Sequence, residues 1–553
     1  MVILDRIRLI GRLFFSTSTA IEFGPWDTNH VRMSNLTRWA LVALFLASIG
    51  LGVPTQASAV GCSVSVATFS ELQSAFTTCN TAGGGVITVT ANIDTTARLL
   101  YTGSGSLTIQ SDVIGTLRRI QATGTRSWSV IESSAGQLVI DSLEITGGNA
   151  TAYGVYGGGV QGYKQIIVRN SYIHDNTGST GGGLGLGFIT SGAWREAIID
   201  NSRVESNTST VASTAAGGGF YSTGGDETAT ITNSSFINNK SSQFGAAISF
   251  FNTSPISNYT LTNVTIGSNS TSHATTGFGA VAFNQGKLYL NFATFYENKN
   301  AAAGKQADIY CGQNGACSVT IVGSIFGNTG GGGTCSINAT ARDATYSVSN
   351  IAPGQSYTCL NNINSAGTTQ TALQNTNVTS TVTNMLLSNT PALNSGTTST
   401  YAILSGTSTA ASLVPSSVGS IYTSVDQRGL ARSGSLWSAG AFEFNATPVL
   451  SPSTSTLTFA AGGITYRVNK QLTATSNSIN GKMTFLANGK RIGNCIALTV
   501  SAANSYTATC NYLPSTRGSV MLVALFTPTD SASYKSSSSV PVYSVINNRI
   551  TTR

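Results

Sequence analysis

Charged side chains are scarce in this chain of 553 residues. Its 29 Lys and Arg and 21 Asp and Glu make up 9% of it, against about 25% in an average soluble protein. That excludes coiled coils, long solvated helices and charge-rich tails. Histidine is rarer still: His30, His174 and His273 lie far apart, and no C-x-x-C pair occurs, which argues against zinc. No P-loop, dinucleotide fingerprint, nucleophilic triad or dense acid cluster is present, so no cofactor is expected. Beyond residue 59 no apolar run is long enough to cross a membrane. Glycine is abundant, at 60 residues, but without a Gly-X-Y period, so the chain is not collagen. A hydrophobic fraction of 41% still supplies a core. With Ser, Thr, Asn and Gly as the remaining surface, the balance suits stacked β-structure with many turns.

The N-terminal region reads as an export signal. Arg38 precedes an apolar run at 39–53, followed by Pro54 and the small residues Ala57 and Ala59. This is the charged, apolar and small-residue order of a secretory signal, and the run is shorter than the ~20 residues of a spanning helix. Cleavage is expected near Ala59, with translation starting at Met1 or Met33, and a secreted or cell-surface location follows. All eight cysteines lie after Ala59. An even number in an exported chain points to disulfides. Proximity pairs Cys62 with Cys79, Cys311 with Cys317, Cys335 with Cys359 and Cys495 with Cys510, although eight cysteines allow many other connectivities.

A repeat dominates the middle. Segments such as Ile167–Asn176, Ile198–Asn207, Thr230–Asn239, Thr260–Asn269 and Leu288–Asn298 each end in Asn, at steps of 31, 32, 30 and 29 residues, and Asn328 extends the series. Glycine clusters at 157–159, 181–183 and 217–219, then Gly245 and Gly277, recur once per period. Short β-branched runs of alternating polarity between such punctuation read as strands, and a fixed period of this length reads as a solenoid. The expected fold is all-β: a right-handed parallel β-helix over 60–446. Asn176, Asn207, Asn239, Asn269 and Asn298 are expected at corners, because Asn tolerates left-handed backbone angles, with their side chains bonded along the axis. Residues 69–76 show helical spacing and would cap the open first coil.

Two resemblances follow. Thr390-Pro-Ala-Leu-Asn-Ser-Gly396, Asp426-Gln-Arg-Gly-Leu-Ala-Arg432 and Gly440-Ala-Phe-Glu443 resemble the closing segment of exported bacterial β-helix proteins, the choice-of-anchor Q domain, over about 330–446. Asn394 and Ser438 stand where that pattern carries Asp. Asp426, Arg428, Arg432 and Glu443 read as an ion-pair cluster closing the last coils. Residues 447–545 hold short alternating strands, including Gly481–Phe485, the hairpin signal Asn488-Gly489 and Val520–Phe526. They resemble bacterial Ig-like repeat domains, which implies a small β-sandwich with Cys495 and Cys510 clipping adjacent strands. Residues 546–553 are a tail.

Charge divides at the linker. Residues 449–553 hold nine Lys or Arg and one acid, Asp530, whereas residues 60–448 hold 15 basic and 17 acidic residues. A basic terminal domain suits an anionic envelope polymer, or is simply a solvated basic surface. The slightly acidic solenoid disfavours nucleic acid. Aligning the repeats sets Arg169 over Asp200, Tyr172 over Arg203 and His174 over Glu205, with Asp175 and Trp194 near. This face is either inter-coil ladder pairing or a site for sugar, through stacking and bidentate hydrogen bonds. Three functions are compatible with these features: a non-catalytic adhesin or binding protein for a glycan or cell-surface ligand, a polysaccharide lyase or glycosidase using this face, and a structural envelope component.

Overall fold

The structure is a computed structural model that describes most of residues 61–547. Residues 1–60, 152–155, 188–194, 212–215, 274–277, 302–307, 313–316, 329–334, 338–340, 351–358, 361–375, 448–454, 460–463, 531–533 and 548–553, with some shorter stretches, lie outside it. The export signal, Trp194 and Gly277 therefore fall outside the described residues.

The repeat folds as a parallel β-solenoid. Among the described residues its strands form two sheets of eleven, one of nine and one of six, each strand pairing in parallel with its counterpart one repeat away. In the first sheet, Gln165–Arg169 pairs with Arg195–Asp200. In the second, Tyr172–His174 pairs with Arg203–Glu205. In the third, Leu184–Leu186 pairs with Phe220–Gly224. The fourth is a ribbon of two-residue strands such as Thr177–Gly178 and Thr208–Ser209. Alternation turns every second side chain inward. Register then aligns like with like: Ile140, Val168, Ile199, Ile231 and Leu261 succeed one another in the first sheet. Ile145, Ile173, Val204, Phe236 and Ile266 do so in the second. All are buried in one continuous core.

Two corners divide the polar work of the repeat. Between the first and second sheets a single residue takes a left-handed conformation: Asn170, Asn201, Asn233 and Asn263 have φ of 53°, 47°, 49° and 54°. The serine after three of them supplies a hydroxyl to the previous coil, with Ser171 Oγ accepting from Leu143 N and Ser202 Oγ from Ser171 N, each at 3.2 Å. Past the second sheet, the left-handed residue is the one before each terminal Asn: Asp175, Ser206, Asn238, Ser268 and Glu297. The terminal asparagines are thus not the left-handed residues expected of them; their role is an amide ladder. Asn176 Nδ2 donates to Asn207 Oδ1 at 3.0 Å, Asn207 to Asn239 at 3.1 Å, Asn239 to Asn269 at 3.1 Å and Asn269 to Asn298 at 3.0 Å. Each Oδ1 also accepts the backbone N–H of the preceding Asn, as Asn207 Oδ1 does from Asn176 at 3.1 Å. Glycine clusters pass beside this ladder because nothing larger fits: a Cβ on Gly183 would lie 2.9 Å from the Asn207 amide carbon.

The first coil is covered by helix α1, Phe69–Ala82. Thr68 and Glu71 form its capping box, Gly83 ends it at φ 74°, and Leu72, Ala75, Phe76 and Cys79 are buried in the solenoid core. Four disulfides join Cys62 to Cys79, Cys311 to Cys317, Cys335 to Cys359 and Cys495 to Cys510, which points to an oxidising, extracellular environment.

Beyond the solenoid, a three-stranded antiparallel sheet and a mainly antiparallel seven-stranded sheet, in which Ile464–Thr465 pairs in parallel with Val542–Asn547, share one apolar core including Leu472, Ala508, Phe485, Leu522 and Phe526. Past Asn488 the chain returns antiparallel, with Ala487 paired to Lys490. Cys510 belongs to the strand Thr507–Tyr512 of the smaller sheet. The carbonyl of Cys495 accepts from Phe485 of the larger sheet. That disulfide therefore links the two sheets and does not clip neighbouring strands.

The ladder ends on an acid. Asp308, fully buried, accepts from Asn298 at 3.0 Å and from Asn328 at 2.9 Å, while Asn328 Oδ1 is buried without a partner. Burial pushes the Asp308 carboxyl up to about 7, although both amides favour its ionised form. The folded chain then holds a proton that the unfolded chain releases above about pH 4, so stability falls as pH rises towards 7. Asp308→Asn extends the amide ladder, its Nδ2 reaching Asn328 Oδ1 once that amide turns over. We expect it to stabilise the protein by roughly 2–4 kcal/mol at pH 8, with no gain near pH 4; denaturant unfolding at the two pH values measures this. Asn207→Ala strips partners from buried amides at about 1–3 kcal/mol per group, and should lower the unfolding midpoint at both.

Candidate functional site

The outer face of the second sheet is built by register. Tyr172 lies between Glu144 and Arg203, and His174 between Thr146 and Glu205. The Arg203 guanidinium carbon stands 3.7 Å over the Tyr172 ring. On its own strand, Tyr172 stacks against His174 at 3.9 Å between centroids, with planes 21° apart. The His174 imidazole sits between two carboxylates, with Nδ1 2.7 Å from Asp175 and Nε2 3.1 Å from Glu144. Both ring nitrogens are thereby engaged. Burial, with the charge of Glu205 adding to it, pushes the Tyr172 hydroxyl up to about 12. Glu205 accepts from Ser235 at 3.1 Å and from Ser399 at 2.7 Å.

Arg169 and Asp200 lie on the first sheet, across the left-handed corner. They are register neighbours, yet Arg169 pairs with Asp141 of the preceding coil at 2.8 Å. Burial works against the Asp141 anion, but hydrogen bonds from Asn170 and Ser142 and the pairing with Arg169 hold its carboxyl below the usual range. Asp200 accepts from Thr232 at 2.5 Å and from Asn233 at 3.1 Å. The structure thus gathers Tyr172, His174, Asp175, Arg203 and Glu205 into one cluster and sets Arg169 and Asp200 beside it.

Two members of the cluster come from elsewhere. Glu144 occupies the repeat position of Tyr172 one coil earlier, so extending the repeat alignment by one segment reaches it. Ser399 carries no repeat signal; it arrives from a segment 194 residues beyond Glu205. A third polar group is internal: Arg195 and Glu227 are register neighbours buried inside the coil. Arg195 donates to the carbonyls of Gly187, at 2.7 Å, and Thr223. Glu227 accepts from Ser222 at 2.9 Å. Burial lowers the Arg195 pKa against the opposing charge of Glu227. This pair acts on the interior and not on the surface face.

The segment 380–446 bounds the cluster. It packs on the last coils, where Ile325 and Val348 share its apolar cluster and Gly440 N–H donates to the Gly323 carbonyl, and it also runs back along the flank of the second sheet. Thr397 reaches Asn201, Thr398 donates to the Asn233 carbonyl at 3.0 Å, and Gln427 accepts from Thr265 at 2.6 Å. The reason is apolar: Ile237, Tyr296, Ile325 and Val348 project outward from the second sheet and pack with Met385, Tyr401, Ile403, Trp437 and Phe442. A Cβ on Gly267 would lie 2.4 Å from the Tyr401 ring, so that strand needs glycine beneath it.

The D-Q-R-G element folds as a turn held by Asp426, whose carboxylate accepts from Arg428 and Leu430 backbone N–H groups and from the Arg428 side chain at 2.6 Å. Gly429 supplies φ 79°. Arg432, fully buried on its side chain, donates to Glu443 at 3.2 Å, to Asn263 at 3.0 Å and to the Val425, Ser438 and Gly440 carbonyls. Burial brings its pKa down to about 10 and raises that of Glu443, each moderated by the other's charge. Ser438, where the resembling pattern has Asp, donates to Glu443 through N and Oγ; an acid there would face an acid.

Among the described residues no group of three or more His, Cys, Asp or Glu is placed to hold a metal. No protein-family model, curated protein or solved structure matches the chain.

Arg432→Met leaves Glu443 buried without its cation, a loss of about 3–5 kcal/mol. We expect the 380–446 segment to become sensitive to limited proteolysis while α1 and the early coils stay protected; cleavage sites read by mass spectrometry check this.

Proposed function

We propose that this chain is an exported protein that acts at a surface by binding, without catalysis, and that its ligand, a glycan or cell-surface molecule, docks on the outer face of the second sheet. The observation that carries this is the Arg203–Tyr172–His174 stack with carboxylates of Glu144, Asp175 and Glu205 around it. Both neighbours of the Tyr172 ring are already stacked, so recognition runs through the rim: guanidinium N–H groups, the tyrosine hydroxyl and carboxylate oxygens, a donor and acceptor array suited to sugar hydroxyls. Engagement of both His174 nitrogens by carboxylates favours binding over proton transfer, which needs a ring nitrogen within reach of substrate.

The finer architecture belongs to the same reading. The coils wind right-handedly, residues 330–446 are a choice-of-anchor Q-type segment, residues 447–545 are an Ig-like module, and the chain is secreted from a bacterium after cleavage near Ala59. The disulfides, the D-Q-R-G turn and the two C-terminal sheets around one core support it.

A glycan array probed with the protein tests the reading. Binding should weaken roughly tenfold in Arg203→Ala and in Tyr172→Ala, about the value of one charge-assisted contact. An array without signal removes the proposal. Release of unsaturated products from a uronate polymer, lost in Arg203→Ala, replaces it with the lyase reading.

A further inference from the structure

We propose that the C-terminal sheets carry a second binding site, for an anionic extracellular glycan chain bearing sulfate or phosphate, built on Tyr466, Arg467 and Arg517. It rests on the reading of the chain as exported but uses none of the solenoid residues.

The site begins in a turn. Val468 N–H donates to the Thr465 carbonyl, and Arg467 takes φ 54°. The Arg467 N–H donates to the Pro514 carbonyl at 3.2 Å, which ties this turn to the stretch leading to Arg517. The two arginines thereby meet on one ring: the guanidinium carbons of Arg467 and Arg517 lie 5.4 and 4.7 Å from the Tyr466 centroid. They are within about 10 Å of each other, about the screening length at 0.1 M salt. Both are exposed, and among the described residues neither pairs with a carboxylate. Residues 449–553 contain a single acid, Asp530.

Two guanidiniums held against one ring without a counter-charge repel, and the oxyanions of a polyanion paired with them relieve that repulsion. The planar fork pairs with sulfate or phosphate through two parallel hydrogen bonds. Nearby in sequence, Lys470 Nζ stands 5.7 Å from the Phe459 ring and adds positive potential. A glycan fits better than a single-stranded nucleic acid, because the ring at the centre of the site already carries guanidinium, whereas bases need a free aromatic face.

The full chain is titrated by calorimetry with a sulfated dextran, a phosphorylated dextran, neutral dextran and single-stranded DNA. Both charged polymers should bind, more weakly as salt rises, and neutral dextran should not. The double variant Arg467→Gln/Arg517→Gln, with an unchanged thermal midpoint, should bind roughly tenfold more weakly or worse. Lys490→Gln/Arg491→Gln, on the exposed strand paired with Leu486 and Ala487, should stay within about twofold of the parent. The site is overturned if the first variant binds like the parent, if the second loses as much, which would mean diffuse charge, or if DNA binds as tightly as the glycans.

Discussion

Everything in the solenoid depends on one coil lying in register on the next. Backbone hydrogen bonds repeat along the axis at about 4.8 Å, but they do not by themselves select a register. The buried asparagine amides do. Each accepts from the neighbouring Asn through both backbone and side chain, and a slip would leave several buried polar groups unpaired. The serine hydroxyls at the other corner add a second set of such bonds. The apolar core fills the space; the polar ladders decide which residue faces which.

That register also builds the polar cluster on the outer face of the second sheet. Tyr172, Arg203, His174 and Glu205 touch because their strands are paired residue for residue, and Glu144 joins them for the same reason. A charge-poor chain has few such residues, so their concentration on adjacent coils sets this face apart. The same geometry explains why Arg169 does not act with Asp200: each finds a nearer partner in another coil.

Much of this was legible in the sequence because a solenoid writes its structure as a period. The repeat alignment carries the strand register, and the alternation of Ile and Val with Thr and Asn carries the inside and the outside. The roles within a corner were less legible. Asn170 and Asn176 are both asparagines near a turn, yet one is chosen for a positive φ and the other for its amide partners, and composition does not distinguish these. Least legible were contacts with no period. The Arg432–Asn263 bond spans 169 residues, and the pairing of D-Q-R-G with Glu443 indicates an ion-pair cluster but not the flank against which it packs. The apolar outward residues Ile237, Tyr296 and Ile325 were the available signal, since a solvated strand face would not carry several of them within a few coils.

The flanking segment changes what kind of repeat protein this is. In a simple array each unit touches only its neighbours, and units can be gained or lost at an end with local effect. Here Thr397, Gln427 and Arg432 bind coils that contain Asn201, Thr265 and Asn263, far upstream of the last coil. During synthesis the outward apolar row stays bare until residues near Phe442 have emerged. Coil number and flank length must therefore change together in evolution: an inserted winding shifts every downstream docking residue off its mate, and only a matching extension of the strap restores the fit.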